Sequence, residues 1–532
     1  MNPKLEQIQS PMLLNNMEAA AELLASDIEA ERSIAVYADY DMDGMSGLAL
    51  LVSFFELLTK ATVVPYQPNR FGEGYGVHPA AIEQLANQGV KTIVTVDTGI
   101  TACEAAKVAK AMGVNFVVTD HHQQVGEIPD TPFVINPNQK SDRSGLRYLS
   151  GAGVAFYLAI AVRSKLRSRG FFKTRPEPDL RLWLDLFVLG TIADHVDLIA
   201  DNRILVRAGL RALIESQRPG VKALRDKVIP NAKYLSTRDV AFSMTPKLNA
   251  ASRLGKAHLS TELLLTKDAA RAVEIAEELM SLNEQRSKIQ SKVFEEALQQ
   301  AVEQVEEDDP PVLVVHGEWH EGVLGVVAAK LTEKFGRPSI VLTKLSDLEM
   351  LRGSMRTLAP VSCVKALDAC RDLLHRYGGH KMAAGLQMDT GLISEFRQRI
   401  WDGTKSFLET LSEFEPVSYD EELPETLSFA EVEALEATSP WGSGNPEPLF
   451  QVKGIDLSAI QMLNGQHLKC QIPNGLNVIG FFKSDDVDKL KKTGSKRFDA
   501  LVTPEINRFR NQKNIQLRLH YVRASETSDS AS

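Results

Sequence analysis

The sequence predicts an α/β protein built on a doubly wound parallel sheet, followed by a second α/β unit and a β-rich unit. Three observations carry that expectation. Between about Ser33 and Pro137, short apolar runs such as "SIAVYAD", "KTIVTVDTG" and "NFVVTDHH" alternate with helix-length stretches such as "GLALLVSFFELLTK", "AAIEQLANQG" and "ACEAAKVAKAMG". Alternation at this length is the pattern of βαβ units feeding one parallel sheet. From Thr261 to Glu307 the chain is almost free of helix breakers and rich in Leu, Ala, Glu, Gln and Lys, until "DDPP" stops it. After about Glu415 it turns to short strands with polar turns ("PLFQVKGIDLSAI", "HLKCQI", "LNVIGFF", "NIQLRLHYV"), which fit a small barrel, an OB-fold being one candidate.

A chain of 532 residues exceeds one ordinary domain. The elements divide it into an N-terminal α/β domain over 1–260, a connecting helix or helix pair over 261–310, and a second α/β domain over 311–410. The β-rich domain covers 411–525, and 526–532 ("TSDSAS" at its end) reads as a disordered tail. With 44% hydrophobic and 24% charged residues, a sizeable core is within reach, and no apolar run is long enough to span a bilayer. The first residues lack the basic-then-apolar layout of a secretory signal, so a cytoplasmic location is expected. The cysteines Cys103, Cys363, Cys370 and Cys470 form no C-x-x-C pair and read as packing residues. A net charge of −9 argues against a protein that coats nucleic acid, but leaves room for a local groove and for acids that hold metal. The basic segments Arg163–Arg175 and Arg508–Leu519 read first as solvated surface.

The chemistry lies at the strand ends. "IAVYADYDMDG" puts Asp39, Asp41 and Asp43 at every second position, so an extended chain would crowd them on one side. Like charges that close raise one another's pKa unless a cation lies between them. Two further expected strands also end in acid, at Asp97 and at Asp120, the latter followed by His121 and His122. Ligand crevices of open α/β sheets lie at the carboxyl ends of strands, so these residues should meet. Each alone has a plain reading as a turn, a cap or a surface histidine. Together they form a carboxylate–imidazole set suited to Mn²⁺ or Mg²⁺, with Zn²⁺ also compatible. So many acids suit two divalent ions about 3.5–4 Å apart, an arrangement that clamps an in-line phosphoryl displacement, with Asp97 the candidate bridge.

These residues carry a resemblance. "DYDMDG", "VDTG", "TDHH" and "GTIADHVDL" resemble the four motifs of the DHH phosphoesterase superfamily, and "GGHKMAAG" (Gly378 to Gly385) resembles the signature of the DHH-associated domain. "PNRFGEGYGVH", "TPKLNAASRLG" and "HEGVLGVVAAKL" resemble segments of the single-strand-specific exonucleases of that superfamily. Departures are Lys247 and Ser252, where Arg and Gly are usual, and "HVDL" after the fourth motif.

The resemblance implies a DHH domain, a long helix, a DHH-associated domain and an OB-fold, in that order. It implies that Asp41, Asp43, Asp97, His121 and Asp194 ligate metal, with Asp39 an additional ligand or a support, and that His122 contacts the scissile phosphate. It assigns Arg253, Asn249, Arg356, Gly378, Gly379 and His380 to the substrate. The implied activity is metal-dependent 5′→3′ degradation of single-stranded DNA to 5′-mononucleotides, in repair and recombination, with a RecQ-type helicase and a single-strand-binding protein as partners. A phosphodiesterase of short oligonucleotides or cyclic dinucleotides is the alternative within enzymes, and a non-catalytic strand-binding scaffold the alternative outside them. "RSRGFFKTR" mixes aromatics with cations as single-strand grooves do, and Trp441 is placed either to stack a base or to anchor its loop.

Overall fold

The computed structural model describes residues 4–345, 348–358, 361–408, 418–509 and 512–525, and the expected tail at 526–532 lies outside them. The chain packs as two units, one holding the described residues up to 408 apart from 197–199, the other holding 197–199 and the described residues from 418 onward. Among the described residues no helix is long and apolar enough to cross a membrane.

The first sheet is built as its sequence pattern requires. After helix α1 (Met17–Glu29) come β1 (Ile34–Ala38), α2 (Met42–Leu58), β2 (Val63–Tyr66), α3 (Pro79–Asn87), β3 (Thr92–Val96), α4 (Cys103–Ala111), β4 (Asn115–Thr119) and β5 (Val134–Ile135). The strands pair in parallel in the order β2-β1-β3-β4-β5, with Ile34 opposite Thr92 and Ala38 opposite Val96. Strands β1 and β3 are buried at every position, as expected of central strands covered on both faces. Ile82, Leu85, Ala105 and Ala109 of α3 and α4 pack on the side of the sheet that carries Ala35, Tyr37 and Ile93. Helix α2 is buried on nearly every side, which is why it reads as an unbroken apolar run. At Gly47 it approaches so closely that a Cβ would lie 2.5 Å from Val96 Cγ1 and 3.1 Å from Ala152 Cα.

A helical layer follows: α5 (Gly151–Ser168), α6 (Leu184–Ala193), α7 (Ala200–Glu215), α8 (Pro219–Val228), α9 (Thr245–Arg253), α10 (Ala257–Leu265) and α11 (Ala269–Glu307). The breaker-free stretch is thus a helix pair. Helix α10 stops at Thr266, and Asp268 caps α11 by accepting from the amides of Ala270 and Arg271. The 39 residues of α11 pack against α8, α9 and α10, then against the second sheet and its helix α12 (Leu324–Phe335).

That second sheet contains β6 (Leu313–Gly317), β7 (Ser339–Lys344), β8 (Met350–Arg356), β9 (Leu374–Gly379) and β10 (Ala383–Asp389), ordered β6-β7-β8-β10-β9, parallel only between β6 and β7. Its core takes in Cys363 and Cys370, packed with Phe396 and Ile400, so both cysteines are apolar filling. The other unit is a seven-stranded sheet with its own core around Phe498, Val502 and Leu517. Its cation-rich strands are neutralised locally, Arg508 by Glu436 and Arg518 by Glu447 and Glu505. There Trp441 donates its indole N–H to Thr438 Oγ1 at 2.9 Å, the anchoring alternative for that residue.

Gly47→Leu tests the approach of α2 to β3. Four added carbons against a branched valine and a backbone carbon should cost about 3 kcal/mol. The expected readout is a lower urea midpoint at unchanged slope.

Candidate metal centre

In the order β2-β1-β3-β4-β5 the chain reverses direction between β1 and β3, so a crevice opens beyond their carboxyl ends. Asp39 follows β1 and Asp97 follows β3, both buried. Asp97 holds φ at 59°, a left-handed conformation that aspartate tolerates better than most residues, and its N–H donates to Thr119 O. Asp41 is the N-cap of α2; its Oδ1 accepts from the amides of Asp43 and Gly44 at 3.0 and 3.1 Å. Asp43 lies in the first turn of α2 and reaches the N-terminus of α5, where its oxygens accept from Gly151 N–H at 2.5 Å and Ala152 N–H at 3.0 Å. Gly151 is required there, since a Cβ would collide with the Asp97 side chain.

His121, after β4, faces this group. Its Nε2 lies 3.1 Å from Asp97 Oδ1, 3.5 Å from Asp194 Oδ2 and 3.9 Å from Asp43 Oδ2, Asp194 being the C-cap of α6. Three overlapping sets result: Asp39, Asp41 and Asp97; Asp43, His121 and Asp194; Asp97, His121 and His122, each with ligand atoms within 4.8 Å of one another. Asp39 Oδ1, Asp97 Oδ1 and His121 Nε2 are buried with no hydrogen-bond partner, a costly state unless a cation takes them. Burial, then the charge of Asp41, holds Asp39 and Asp97 well above the usual carboxylate range. The same causes push Asp43 up to about 7, and burial with Asp43 and Asp41 pushes Asp194 up to about 9. Burial lowers His121 to about 3, which leaves its ring neutral, the ligand form. The residues therefore fit hard divalent cations.

Asp120 stands apart from these sets. Its Oδ1 accepts from the His121 and His122 amides and, at 2.7 Å, from His122 Nδ1, while Oδ2 accepts from Ile100 N–H at 2.9 Å. Although burial opposes its charge, His122 brings Asp120 down to about 2; burial likewise opposes the His122 charge, but Asp120 carries that ring up to about 9. Asp120 thus orients His122, whose ring stacks on His380 at 5.2 Å between centroids.

Asn249 and Arg253 of α9 line a cavity of about 470 Å³ together with Asp39, Asp41 and Arg70. Arg253 donates from Nη1 to Gly322 O at 3.1 Å. Arg356 donates to Ser354 Oγ and Met355 O, and its Nη2 lies where a Cβ on Gly325 would be 2.6 Å away. Gly378 and Gly379 end β9. They pair with Gly385 and Ala384, and the His380 amide donates to Ala383 O at 2.7 Å, so this backbone closes a hairpin and the His380 ring is what reaches the centre. The stretch Arg163–Arg175 is matched by acids: Lys165 by Glu18 and Glu22, Arg167 by Glu177, Arg169 by Glu22 and Glu29. It reads as surface.

Sequence reasoning missed Tyr40, whose ring faces the Arg70 guanidinium at 4.9 Å, and Arg286, which lines the cavity from α11. A cation in a Gly-rich loop was the signal for Arg70; Arg286 sits among ordinary helix-surface charges and gave none. Among the described residues, Arg70, Arg253, Arg286 and Arg356 have no carboxylate within 4.0 Å. Arg70, Arg253 and Arg286 line the cavity that holds Asp39 and Asp41, and Arg356 lies close enough to Arg70 and Arg253 to feel their charge.

Comparison with known proteins agrees with this layout. The DHH family, N-terminal domain, matches residues 33–191; the DHHA1 domain matches 309–406; the RecJ OB domain matches 419–521. The chain is 36% identical to the single-stranded-DNA-specific exonuclease RecJ of Dickeya dadantii, over 96% of this chain and 91% of that protein. The crystal structure of RecJ in complex with Mn²⁺ from Thermus thermophilus superposes with a TM-score of 0.80 at 30% identity, covering 99% of this chain and 74% of that one. A crystal structure of exonuclease RecJ bound to manganese gives 0.64 at 35% identity, over 76% of this chain and 97% of that one.

Titration calorimetry with Mn²⁺ separates ligands from their supports. Asp97→Ala should abolish measurable binding. Asp120→Asn should leave Mn²⁺ binding largely intact and lower cleavage instead, because Asp120 holds the His122 ring and not a cation.

Proposed function

Because the chain belongs to the RecJ family of single-stranded-DNA-specific exonucleases, we propose that it hydrolyses single-stranded DNA from the 5′ end and releases 5′-mononucleotides. The observation that carries this reading is that Arg70, Arg253 and Arg286, none with a carboxylate within 4.0 Å, share one cavity wall with Asp39 and Asp41. Acids that need divalent cations and cations that need anions stand side by side, and a phosphodiester with bound Mn²⁺ or Mg²⁺ satisfies both.

Asp39, Asp41, Asp43, Asp97, His121 and Asp194 hold the cations in this reading, which when bound polarise the scissile phosphate and its attacking water. His122 commits Nδ1 to Asp120, so its positive ring offers Nε2–H to a non-bridging oxygen of the scissile phosphate. Asp120 keeps that ring charged and fixed. Arg253, Asn249 and Arg356, with Arg70, receive the phosphates that flank the cut, and forked guanidinium donors suit them better than lysine would. His380 stacks on His122 and limits its rotation, with Gly378 and Gly379 shaping the hairpin that delivers it. The family resemblance extends the reading to a cytoplasmic repair and recombination role beside a RecQ-type helicase and a single-strand-binding protein.

A 5′-labelled oligonucleotide of about 30–40 nucleotides, longer than a single OB footprint, tests the reading as a single strand and as a duplex. Label should leave the single strand as a mononucleotide with Mn²⁺, and stop with EDTA or in Asp97→Ala. Cleavage confined to a dinucleotide would move the protein to the small-substrate alternative, and tight binding without cleavage in any metal would make it a scaffold. Binding should also weaken as salt rises, because backbone phosphates carry it.

A further inference from the structure

Phe242 is 67% exposed, and its position makes that exposure more than an ordinary surface accident. It lies in the π-helical segment Asp239–Met244, which runs directly into α9. The cause is local. Pro246 has no N–H, so the Phe242 carbonyl finds no donor four residues on, and the Thr245 N–H bonds instead to Val240 O, five residues back. The widened turn carries Phe242 on the same face as Pro246, Asn249 and Arg253, spaced by four, three and four residues. Those last three line the cavity that holds Asp39 and Asp41. A single stripe therefore runs from an exposed aromatic ring to a half-buried arginine with no carboxylate partner beside the acids. The Arg238 guanidinium lies 5.6 Å from the ring centroid, adding positive charge at the outer end.

We propose that Phe242 is a stacking subsite for a nucleobase of the bound single strand. The proposal rests on the strand-cleaving reading above and adds where that strand runs. An exposed aromatic face accepts any base, which suits an enzyme that must not choose among sequences. Phe242 and Arg253 are eleven residues apart, about 16 Å along a helix at 1.5 Å per residue, several times the ~3.4 Å nucleotide rise of one strand. The base on Phe242 is therefore an internal one, downstream of the nucleotide being released. A stacked dinucleotide is shorter than that separation, so this ring favours strands over the small substrates of related phosphodiesterases.

A walking abasic site provides the test. Single strands carrying one abasic nucleotide, moved inward from the 5′ end one position at a time, are hydrolysed by the full-length wild type, Phe242→Ala and Phe242→Trp. In the wild type, loss of the base at one internal position should raise KM by ~10-fold, the scale of one base–aromatic stack. Phe242→Ala should raise KM for the intact strand by a similar factor and erase the penalty at that position alone, and Phe242→Trp should restore both. Penalties that persist unchanged in Phe242→Ala, or a wild type indifferent to every internal abasic site, would overturn the subsite. A wild type that cleaves no strand at all would instead remove the exonuclease reading on which it stands.

Discussion

Repulsion among buried carboxylates is the constraint around which the first unit is arranged. Two like charges 4 Å apart cost about 4 kcal/mol at an effective dielectric of 20, and Asp39, Asp43 and Asp97 meet in a space that water scarcely enters, with Asp194 at its half-exposed edge. Part of that cost is met by backbone. The α5 N-terminus takes Asp43, and the α2 N-terminus takes one oxygen of Asp41. Oδ1 of Asp39 and of Asp97 has nothing from the chain, and burial together with the neighbouring charges pushes both carboxyls toward protonation. The helices are therefore aimed at the strand ends, with their amino termini toward the acids. Glycine at 47 and 151 is what lets them come so near.

That logic explains what could be seen in the sequence. Period-two acids after an apolar run report a strand end directly, and three such ends on one parallel sheet converge by topology, so Asp39, Asp41, Asp97 and His121 were legible from local pattern alone. Asp194 was not: it caps a helix, and its approach to His121 depends on how α6 packs, which resemblance to a known motif supplied and periodicity did not. Arg70 and Arg286 come from a loop and from the solvent-facing pattern of a long helix, where a cation is the default residue. Their lack of acid partners, the property that matters, exists only in three dimensions.

Asp120 and His122 illustrate a division of labour within one tripeptide. The acid that most resembles a ligand by position is consumed by four hydrogen bonds, and the histidine beside it gains a charge that burial alone would remove. His121, one residue earlier, is driven the other way, to a neutral ring. Adjacent imidazoles thus hold opposite protonation preferences because a committed carboxylate charges one, while burial and the charge of that neighbouring ring keep the other neutral.

Helix α11 has a topological consequence. At 39 residues it is about 58 Å long, and it packs on α8 and α9 near one end and on β6 and α12 near the other. The His122–His380 stack joins the same two sheets, and the Arg253–Gly322 bond joins α9 to the turn before α12. A strut fastened at both ends ties the two sheets to one element, so the strand ends that carry the acids and the hairpin that carries His380 share one frame.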